Sequence, residues 1–186
     1  MLTISTLHSL HNRHCLHTLQ EQVNDDGMIH SNSCLVLGCG NTLFGDDGFG
    51  PGVVAHLQQY HNLPEHAICI DAGTAVRDIL FDIVLSETKP RQIIVIDSSE
   101  QNGTVPGAIS EIDVDDIDVK KSGDFSLHQF PTTNMLKELK TYTDMDVRVL
   151  VVQPENIPDE IEPGISEPVA AAMPEMCRRI MSIINE

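Results

Sequence analysis

Residues 34–52 read CLVLGCGNTLFGDDGFGPG, and this stretch indicates the class of fold. Its first six residues form an almost continuous apolar run, which is typical of a strand buried on both faces of a parallel sheet. The stretch also holds six glycines, and Pro51 suits the first turn of a helix that continues to about residue 61. A strand that passes through a glycine-rich loop into a helix is the opening unit of an α/β protein.

The same alternation of strand and helix continues along the chain. Three more buried strands and three more helices are predicted, the strands at residues 67–71, 92–97 and 147–152 and the helices at residues 76–87, 132–142 and 167–184. Residues 108–114 alternate in polarity, which predicts a half-exposed strand that pairs antiparallel at a sheet edge. We therefore predict an α/β three-layer sandwich, in which a twisted and mostly parallel sheet of about five strands lies between helices.

The composition excludes several classes of protein. The 186 residues suit one domain with a buried core, and 28 acidic against 11 basic residues give a net charge of −17. Such a charge argues against binding to nucleic acid or to an anionic membrane surface. The chain has no membrane-length apolar run, no signal-peptide pattern and no CxxC pair among its five cysteines, which predicts a cytoplasmic protein with reduced thiols.

The first 33 residues differ from the rest, being rich in histidine, asparagine, serine and glutamine. Histidine recurs at every third position from His8 to His17, and Cys15 lies among these histidines. A metal-binding tail is one interpretation, and a poorly packed leader outside the core is the other. We adopt the second, and assign residues 1–33 to a leader and residues 34–186 to one domain.

Acidic side chains follow three of the predicted strands. Asp46 and Asp47 lie in the loop after the first strand, Asp71 ends the second and Asp97 ends the third, while His128 precedes the helix that leads to the last strand. The carboxyl ends of parallel strands meet at one end of the sheet, here called the rim, where ligands bind in open α/β folds. Carboxylates and an imidazole at the rim would form an open site for a divalent transition metal.

Each of these residues also has a purely structural interpretation. Asp46 or Asp47 would serve as a cap for the helix that starts near Phe49. Asp71 and Asp97 would cap turns at strand ends, and an isolated histidine is more often solvated than a metal ligand. Spacing alone favours the structural interpretation of each residue taken singly, and only their combination at one rim supports the metal site.

A nucleotide site is the obvious rival for a glycine-rich loop. Gly38 and Gly40 begin like a dinucleotide fingerprint, but Leu43 stands where the third glycine is required, and the two adjacent acids would repel a pyrophosphate. No P-loop, GxSxG or HExxH motif occurs. Cys39 near His128 would be a candidate nucleophile, although a buried thiol in a tight turn is the more common role. The loop therefore favours the presentation of carboxylates over the binding of phosphate.

Six motifs in order resemble the nickel-iron hydrogenase maturation endopeptidases. The most specific is GCGNTLFGDDGFGPGVV at residues 38–54, which resembles the N-terminal signature of that family. The others are DAGT at 71–74, VIDS at 95–98, PG at 106–107, SLHQF at 126–130 and QPENIPDEIEPGISEPV at 153–169. The resemblance covers residues 34–184, and its wording is most similar to the methanogen branch that serves the coenzyme F420-reducing hydrogenase.

The resemblance implies an activity and a set of site residues. Family members remove a C-terminal extension from the precursor of the hydrogenase large subunit after nickel has been inserted. The residues that contact the metal map onto Asp47, Asp97 and His128, with nickel contributed by the precursor. Asp71, Gly73 and Thr74 map onto a segment that helps to seat the substrate. Many family members carry Glu at the position of Asp47, so the reach of this ligand is one methylene shorter here.

The resemblance also implies a cytoplasmic monomer whose partner is the large-subunit precursor. One alternative is a nickel-binding maturation chaperone with the same metal site and no cleavage activity. A nucleotide-binding α/β protein is a second alternative, and it would show saturable binding of NAD or ATP.

Overall fold

The computed structural model describes residues 31–116 and 130–186, and these residues form a five-stranded sheet with the order β2-β1-β3-β5-β4. Strands β1, β2, β3 and β5 run parallel, and β4 pairs antiparallel with β5 at one edge. The strands are β1 (Cys34–Cys39), β2 (Ala67–Gly73), β3 (Gln92–Ser98), β4 (Ile109–Ile112) and β5 (Asp146–Val152). The predicted mostly parallel sheet with one antiparallel edge strand is confirmed.

Four α-helices in the described residues cover both faces of the sheet. They are α1 (Phe49–Tyr60), α2 (Val76–Leu85), α3 (Phe130–Tyr142) and α4 (Glu167–Ile184). Helices α1 and α4 share one apolar cluster with alternate side chains of the central strands, and α2 and α3 share the other. Because successive side chains of a strand point to opposite faces, strands covered on both faces are apolar throughout. The predicted three-layer sandwich is confirmed.

None of the helices in the described ranges combines the length and apolar content that crossing a bilayer requires.

The strand order reverses direction beside β1. The chain leaves β1 for β2 on one side, and then returns across the sheet to β3 on the other side of β1. Such a reversal of strand order opens a ligand-binding crevice outside the carboxyl ends of the two strands. Residues 40–48 follow β1 into this position, so the acid pair of the sequence lies beside the end of β3.

Strand β2 is longer than the sequence predicts. The predicted strand at residues 67–71 continues to Gly73, because Cys39 of β1 pairs with Gly73 after an irregularity in the register. Asp71 pairs with Gly38 and lies two residues before the end of β2. The expectation that Asp71 ends the second strand is therefore wrong, because the pairing with β1 extends the strand past it.

Two other expectations concern the ends of elements. The strand predicted at residues 108–114 is confirmed as β4 but is shorter, since residues Val114–Asp116 form a 3₁₀ turn. The expectation of a leader at residues 1–33 falls mainly on residues 1–30, which lie outside the described part of the chain.

Two glycines let α1 approach the sheet closely. A Cβ atom on Gly50 would lie 2.6 Å from the carbonyl oxygen of Ile96 and would also meet the backbone of Cys39. A Cβ atom on Gly38 would lie 2.8 Å from the side chain of Val54. The absence of these methyl groups lets the first turn of α1 lie directly over the ends of β1 and β3. This contact fixes the position of the loop between β1 and α1.

Candidate active site

The loop between β1 and α1 is a compact turn built on glycine. Gly40 and Gly45 have φ angles of 116° and 55°, a conformation that side chains with a Cβ rarely adopt. A Cβ atom on Gly40 would also collide with the carbonyl oxygen of Asp47. Residues Gly45–Gly48 then form a 3₁₀ turn that leads into α1. The fold of this loop thus requires glycine at two positions and sets the acid pair in a rigid turn.

Asp47 lies on the outer side of this turn and is partly exposed. Its Oδ2 atom accepts a hydrogen bond of 2.7 Å from the backbone N–H of Asn41. The N-cap residue of α1 is Gly48, which provides no side-chain cap. The sequence left open that Asp46 or Asp47 caps this helix, but the N-cap residue is a glycine. The bond from Asn41 orients the Asp47 carboxylate from within its own loop.

Asp46 has the opposite environment, because it is fully buried. Its carboxylate accepts hydrogen bonds from the backbone N–H groups of Glu155, Asn156 and Ser166 at 2.8, 2.9 and 2.7 Å. The hydroxyl of Ser166 donates a fourth bond at 2.9 Å. A buried carboxylate is stable only when it is satisfied in this way. Asp46 therefore holds the loop before α4 against the turn, and it is a structural residue.

Asp97 is the penultimate residue of β3 and is also fully buried. Its Oδ1 atom accepts a hydrogen bond of 2.9 Å from the backbone N–H of Ser98. The 3₁₀ turn that carries Asp47 packs against β3. The fold therefore brings the turn of Asp47 and the strand of Asp97 together at the rim. Asp97 is two residues from Val95, so alternation assigns it to the face covered by α2 and α3.

The predicted substrate-seating segment lies at the end of β2. Gly73 has a φ angle of 48°, and its carbonyl oxygen accepts a 3.1 Å hydrogen bond from the N–H of Gly40. Asp71 and Thr74 are exposed. Asp71 is two residues from Cys69, so alternation along β2 assigns it to the face opposite that of Asp97. The segment therefore borders the loop of Asp47 through Gly73, while Asp71 faces solvent.

Two further candidates from the sequence have different outcomes. His128 lies in residues 117–129, outside the described part of the chain. Cys39 is fully buried, and its Sγ atom lies 3.9 Å from the carbonyl oxygen of Leu37. This burial supports the packing role of Cys39 rather than the role of a nucleophile.

Burial makes three other cysteines poor nucleophiles in the metal-free protein. Burial raises the pKa of the Cys34 and Cys177 thiols to about 11 and that of the Cys69 thiol to about 12. Such thiols stay protonated at neutral pH, and the thiolate is the nucleophilic form. Cysteine proteolysis at these three positions is therefore not supported by their environment.

The rim has the chemistry of an oxygen-ligand site. Its described members, Asp47 and Asp97, supply carboxylates on two different elements that meet at the switch point of the sheet. Carboxylates suit a divalent metal and also suit proton transfer. Sequence reasoning did not find that Asp46 is an internal anchor, because its partners follow about 110 residues later in the chain. The only local sequence signal for this anchor was the pair of adjacent acids, and the pair alone does not show which of the two is buried.

Comparisons with known proteins show the family of this chain. A sequence profile of the hydrogenase maturation proteases (HycI) matches residues 51–183. The chain is 38% identical over 154 residues to a predicted hydrogenase maturation protease of Methanocaldococcus jannaschii, covering 82% of this chain and 96% of that one. It is 36% identical over 156 residues to the coenzyme F420 hydrogenase subunit delta of Methanothermobacter thermautotrophicus, covering 82% and 92%.

The fold has a counterpart among solved structures. The hydrogenase maturating endopeptidase HybD from Escherichia coli matches with a TM-score of 0.66 and 24% sequence identity, over 82% of this chain and 92% of that one. Fold, rim and relatives together define a peptidase, and so a hydrolase. The chain belongs to the hydrogenase maturation protease family. The resemblance stated from the sequence motifs is thereby confirmed.

Proposed function

We propose that this protein is the endopeptidase that removes the C-terminal extension of a nickel-iron hydrogenase large-subunit precursor after nickel insertion. The observation that carries the proposal is the meeting, at the switch point of the sheet, of the turn of Asp47 with the strand of the buried Asp97. Ligands of open α/β folds bind at this end of the sheet. A carboxylate there suits contact with a cation that arrives with the substrate.

Asp47, Asp97 and His128 contact the nickel in this proposal, and the nickel is part of the substrate. Two carboxylates and one imidazole are ligands that a divalent transition metal accepts. A precursor without nickel lacks this contact, so its scissile bond is not held in position for cleavage. Cleavage therefore requires the bound metal. The bound nickel polarises the scissile carbonyl or activates water, or an aspartate acts as general base. The absence of a GxSxG or HExxH motif in the sequence fits a site completed by its substrate.

The neighbouring residues seat the extension that is removed. Gly73 borders the loop of Asp47 through its bond to Gly40, and the exposed Thr74 follows it. Asp71 lies on the other face of β2, and in this proposal it contacts the extension where the peptide passes the edge of the sheet. Its exposure leaves it accessible to such a peptide.

The partner follows from the relatives and the motifs. A relative named as a subunit of the coenzyme F420 hydrogenase supports a large-subunit precursor of that hydrogenase as the substrate. The protein is a cytoplasmic monomer in this proposal, and the net charge of −17 argues against binding to nucleic acid or to an anionic membrane surface.

Mass spectrometry of the precursor tests this proposal. Precursor with and without nickel is incubated with wild type, with Asp97→Asn and with Asp82→Asn, an exposed aspartate of α2 that serves as the matched control. We expect one C-terminal cut by wild type and control, with nickel only, and a rate about 100-fold or more lower for Asp97→Asn. Cleavage without nickel would contradict the metal gate. No cleavage, with tight binding of loaded precursor, would instead establish the chaperone alternative.

A further inference from the structure

A second group of metal-binding side chains lies away from the rim, between α1 and α4. His56 is on α1, His61 is the residue that follows the last turn of α1, and Cys177 is in the middle of α4. The two helices pack against each other on the same face of the sheet. Three side chains from two helices therefore converge on one point of the α1–α4 seam.

The distances suit a metal ion. One ligand atom from each of His56, His61 and Cys177 lies within 4.8 Å of the other two. The Sγ atom of Cys177 is 3.5 Å from the Nδ1 atom of His56. A tetrahedral ion with metal–sulfur and metal–nitrogen bonds of about 2.3 and 2.0 Å separates those two ligand atoms by about 3.5 Å. The His56–Cys177 pair is thus already at ligand spacing, and His61 offers a ring nitrogen within 4.8 Å of a ligand atom of each.

The burial of the three residues also suits a binding site. Cys177 is fully buried, while both histidines are partly exposed. The seam therefore has a closed inner end with a sulfur ligand and an outer end through which an ion can enter. One thiolate and two imidazoles are the ligands of borderline and soft metals, in contrast to the carboxylates of the rim.

We propose that His56, His61 and Cys177 bind a zinc-class transition metal ion in a four-coordinate site whose fourth ligand is water. Binding of the ion displaces the Cys177 thiol proton to solvent, because a thiol that coordinates such a metal is deprotonated. The ion ties α4 to α1. The site is separate from the proposed proteolytic centre, because α1 has 12 residues and is about 18 Å long, with His61 after its last turn and the acid turn before its first.

A metal-free interpretation accounts for part of this geometry. Cys177 and His56 lie within the distance of a sulfur–nitrogen hydrogen bond, and the His56 ring packs on Tyr60 with 4.7 Å between centroids. Neither contact involves His61, whose ring lies 5.7 Å from that of His56. The two interpretations therefore differ most clearly in the role of His61.

Titration of the full chain with Co²⁺ separates them, because a cobalt–thiolate bond has its own charge-transfer absorption in the near ultraviolet. We expect this absorption in wild type, and its loss in Cys177→Ser. We expect His61→Gln, at a partly exposed residue that should not disturb folding, to weaken Co²⁺ binding by at least about 10-fold, since even partners outside the ligand shell contribute about 10–100-fold. Zn²⁺ should displace Co²⁺ and abolish the absorption.

Three controls assign the signal. Cys15→Ser tests the histidine-rich segment near the N-terminus, Cys34→Ala tests a buried thiol of the same apolar cluster, and Asp97→Asn tests the rim. All three should keep the absorption, and His61→Gln should keep precursor cleavage. The proposal would be overturned if wild type showed no charge-transfer absorption, or if the absorption persisted in Cys177→Ser. Undiminished Co²⁺ binding by His61→Gln would also overturn it. Loss of precursor cleavage in His61→Gln would contradict the separation of the seam from the proteolytic centre, whereas the absorption results do not bear on the protease proposal.

Discussion

The inner and outer sides of the loop between β1 and α1 carry the same side chain in opposite environments. Asp46 on the inner side is fully buried and accepts four hydrogen bonds from residues that precede or begin α4. Asp47 on the outer side is partly exposed and accepts a local bond from Asn41. The Asp46 carboxylate therefore stabilises the fold, and the neighbouring Asp47 carboxylate remains partly accessible at the rim.

The difference explains why the loop contains two acids. A ligand at the rim is useful only if its turn is rigid, since a small displacement of a reacting group lowers a rate strongly. Asp46 supplies this rigidity by joining the turn to the loop before α4, which lies far away in sequence. The pair thus combines a structural anchor with the carboxylate that the anchor holds in position.

The largest expected effect on stability is that of Asp46→Ala. The substitution leaves three backbone N–H groups and the Ser166 hydroxyl without their charged acceptor, which should lower the free energy of unfolding by roughly 3–5 kcal/mol. Asp46→Asn should lose less, because the amide oxygen still accepts. Urea denaturation followed by circular dichroism measures both variants. An Asp46→Ala midpoint equal to that of wild type would show that the inner side is not an anchor.

A smaller effect on stability is expected from Gly50→Ala, which tests how closely α1, the helix that follows the loop, packs on the sheet. The new methyl group would lie 2.6 Å from the carbonyl oxygen of Ile96, so α1 must move away from the sheet. Overpacking of this kind typically lowers stability by about 1–3 kcal/mol, which exceeds the gain of about 1 kcal/mol from replacing a helical glycine.

The Gly50→Ala experiment has a natural control on the same helix. Gly52→Ala adds a methyl group 3.1 Å from the flexible end of Met173, which can move aside. Equal urea midpoints for the two variants would contradict the close approach of α1 to β1 and β3.

The smallest effect is expected at an exposed carboxylate far from both sides of the loop. Glu111 of β4 forms a two-pronged ion pair with Arg148 of β5, with distances of 2.7 and 2.8 Å. This hydrogen bonding lowers the pKa of Glu111 below its ordinary value. Because the pair is partly exposed and screened by solvent, Glu111→Gln should lower stability at neutral pH by at most about 1 kcal/mol.

The pH dependence of that difference has a definite sign. A group whose pKa is lower in the folded state stabilises the fold above its unfolded pKa, and this contribution is lost as the pH falls through the folded pKa. The urea midpoints of wild type and Glu111→Gln should therefore converge as the pH is lowered from about 7 to below about 3. A gap that widens on acidification would contradict the assigned shift.

Much of the fold was predictable from local sequence. The apolar run of residues 34–39 predicted β1 with the bounds that the structure has, because a strand covered on both faces leaves no polar position. The end of β2 was not predictable, since its last residues belong to the strand only through pairing with β1. Hydrogen bonds between distant parts of a chain leave no periodic signal in either partner.

The site was predictable only in part, for the same reason. Family motifs and strand ends pointed to Asp47 and Asp97, and the fold brings their elements together. The resemblance assigned the metal contact to Asp47, but the structural role of Asp46 was not predicted, because its partners are contributed by residues 155–166. The seam between α1 and α4 was also missed, since Cys177 is 121 residues from His56.

The most direct test compares the two neighbouring acids in one experiment. Asp46→Asn and Asp47→Asn are each measured for urea stability and for the rate at which nickel-loaded precursor is cut, by mass spectrometry. We expect Asp47→Asn to unfold at the same urea concentration as wild type, because its amide oxygen still accepts the hydrogen bond from the backbone N–H of Asn41. We expect its cleavage rate to be lower than that of wild type by about 100-fold or more. Asp46→Asn should unfold at a lower urea concentration than wild type. At urea concentrations below its unfolding transition it should still cleave the precursor. Cleavage by Asp47→Asn at the wild-type rate would contradict the assignment of the outer carboxylate to the site.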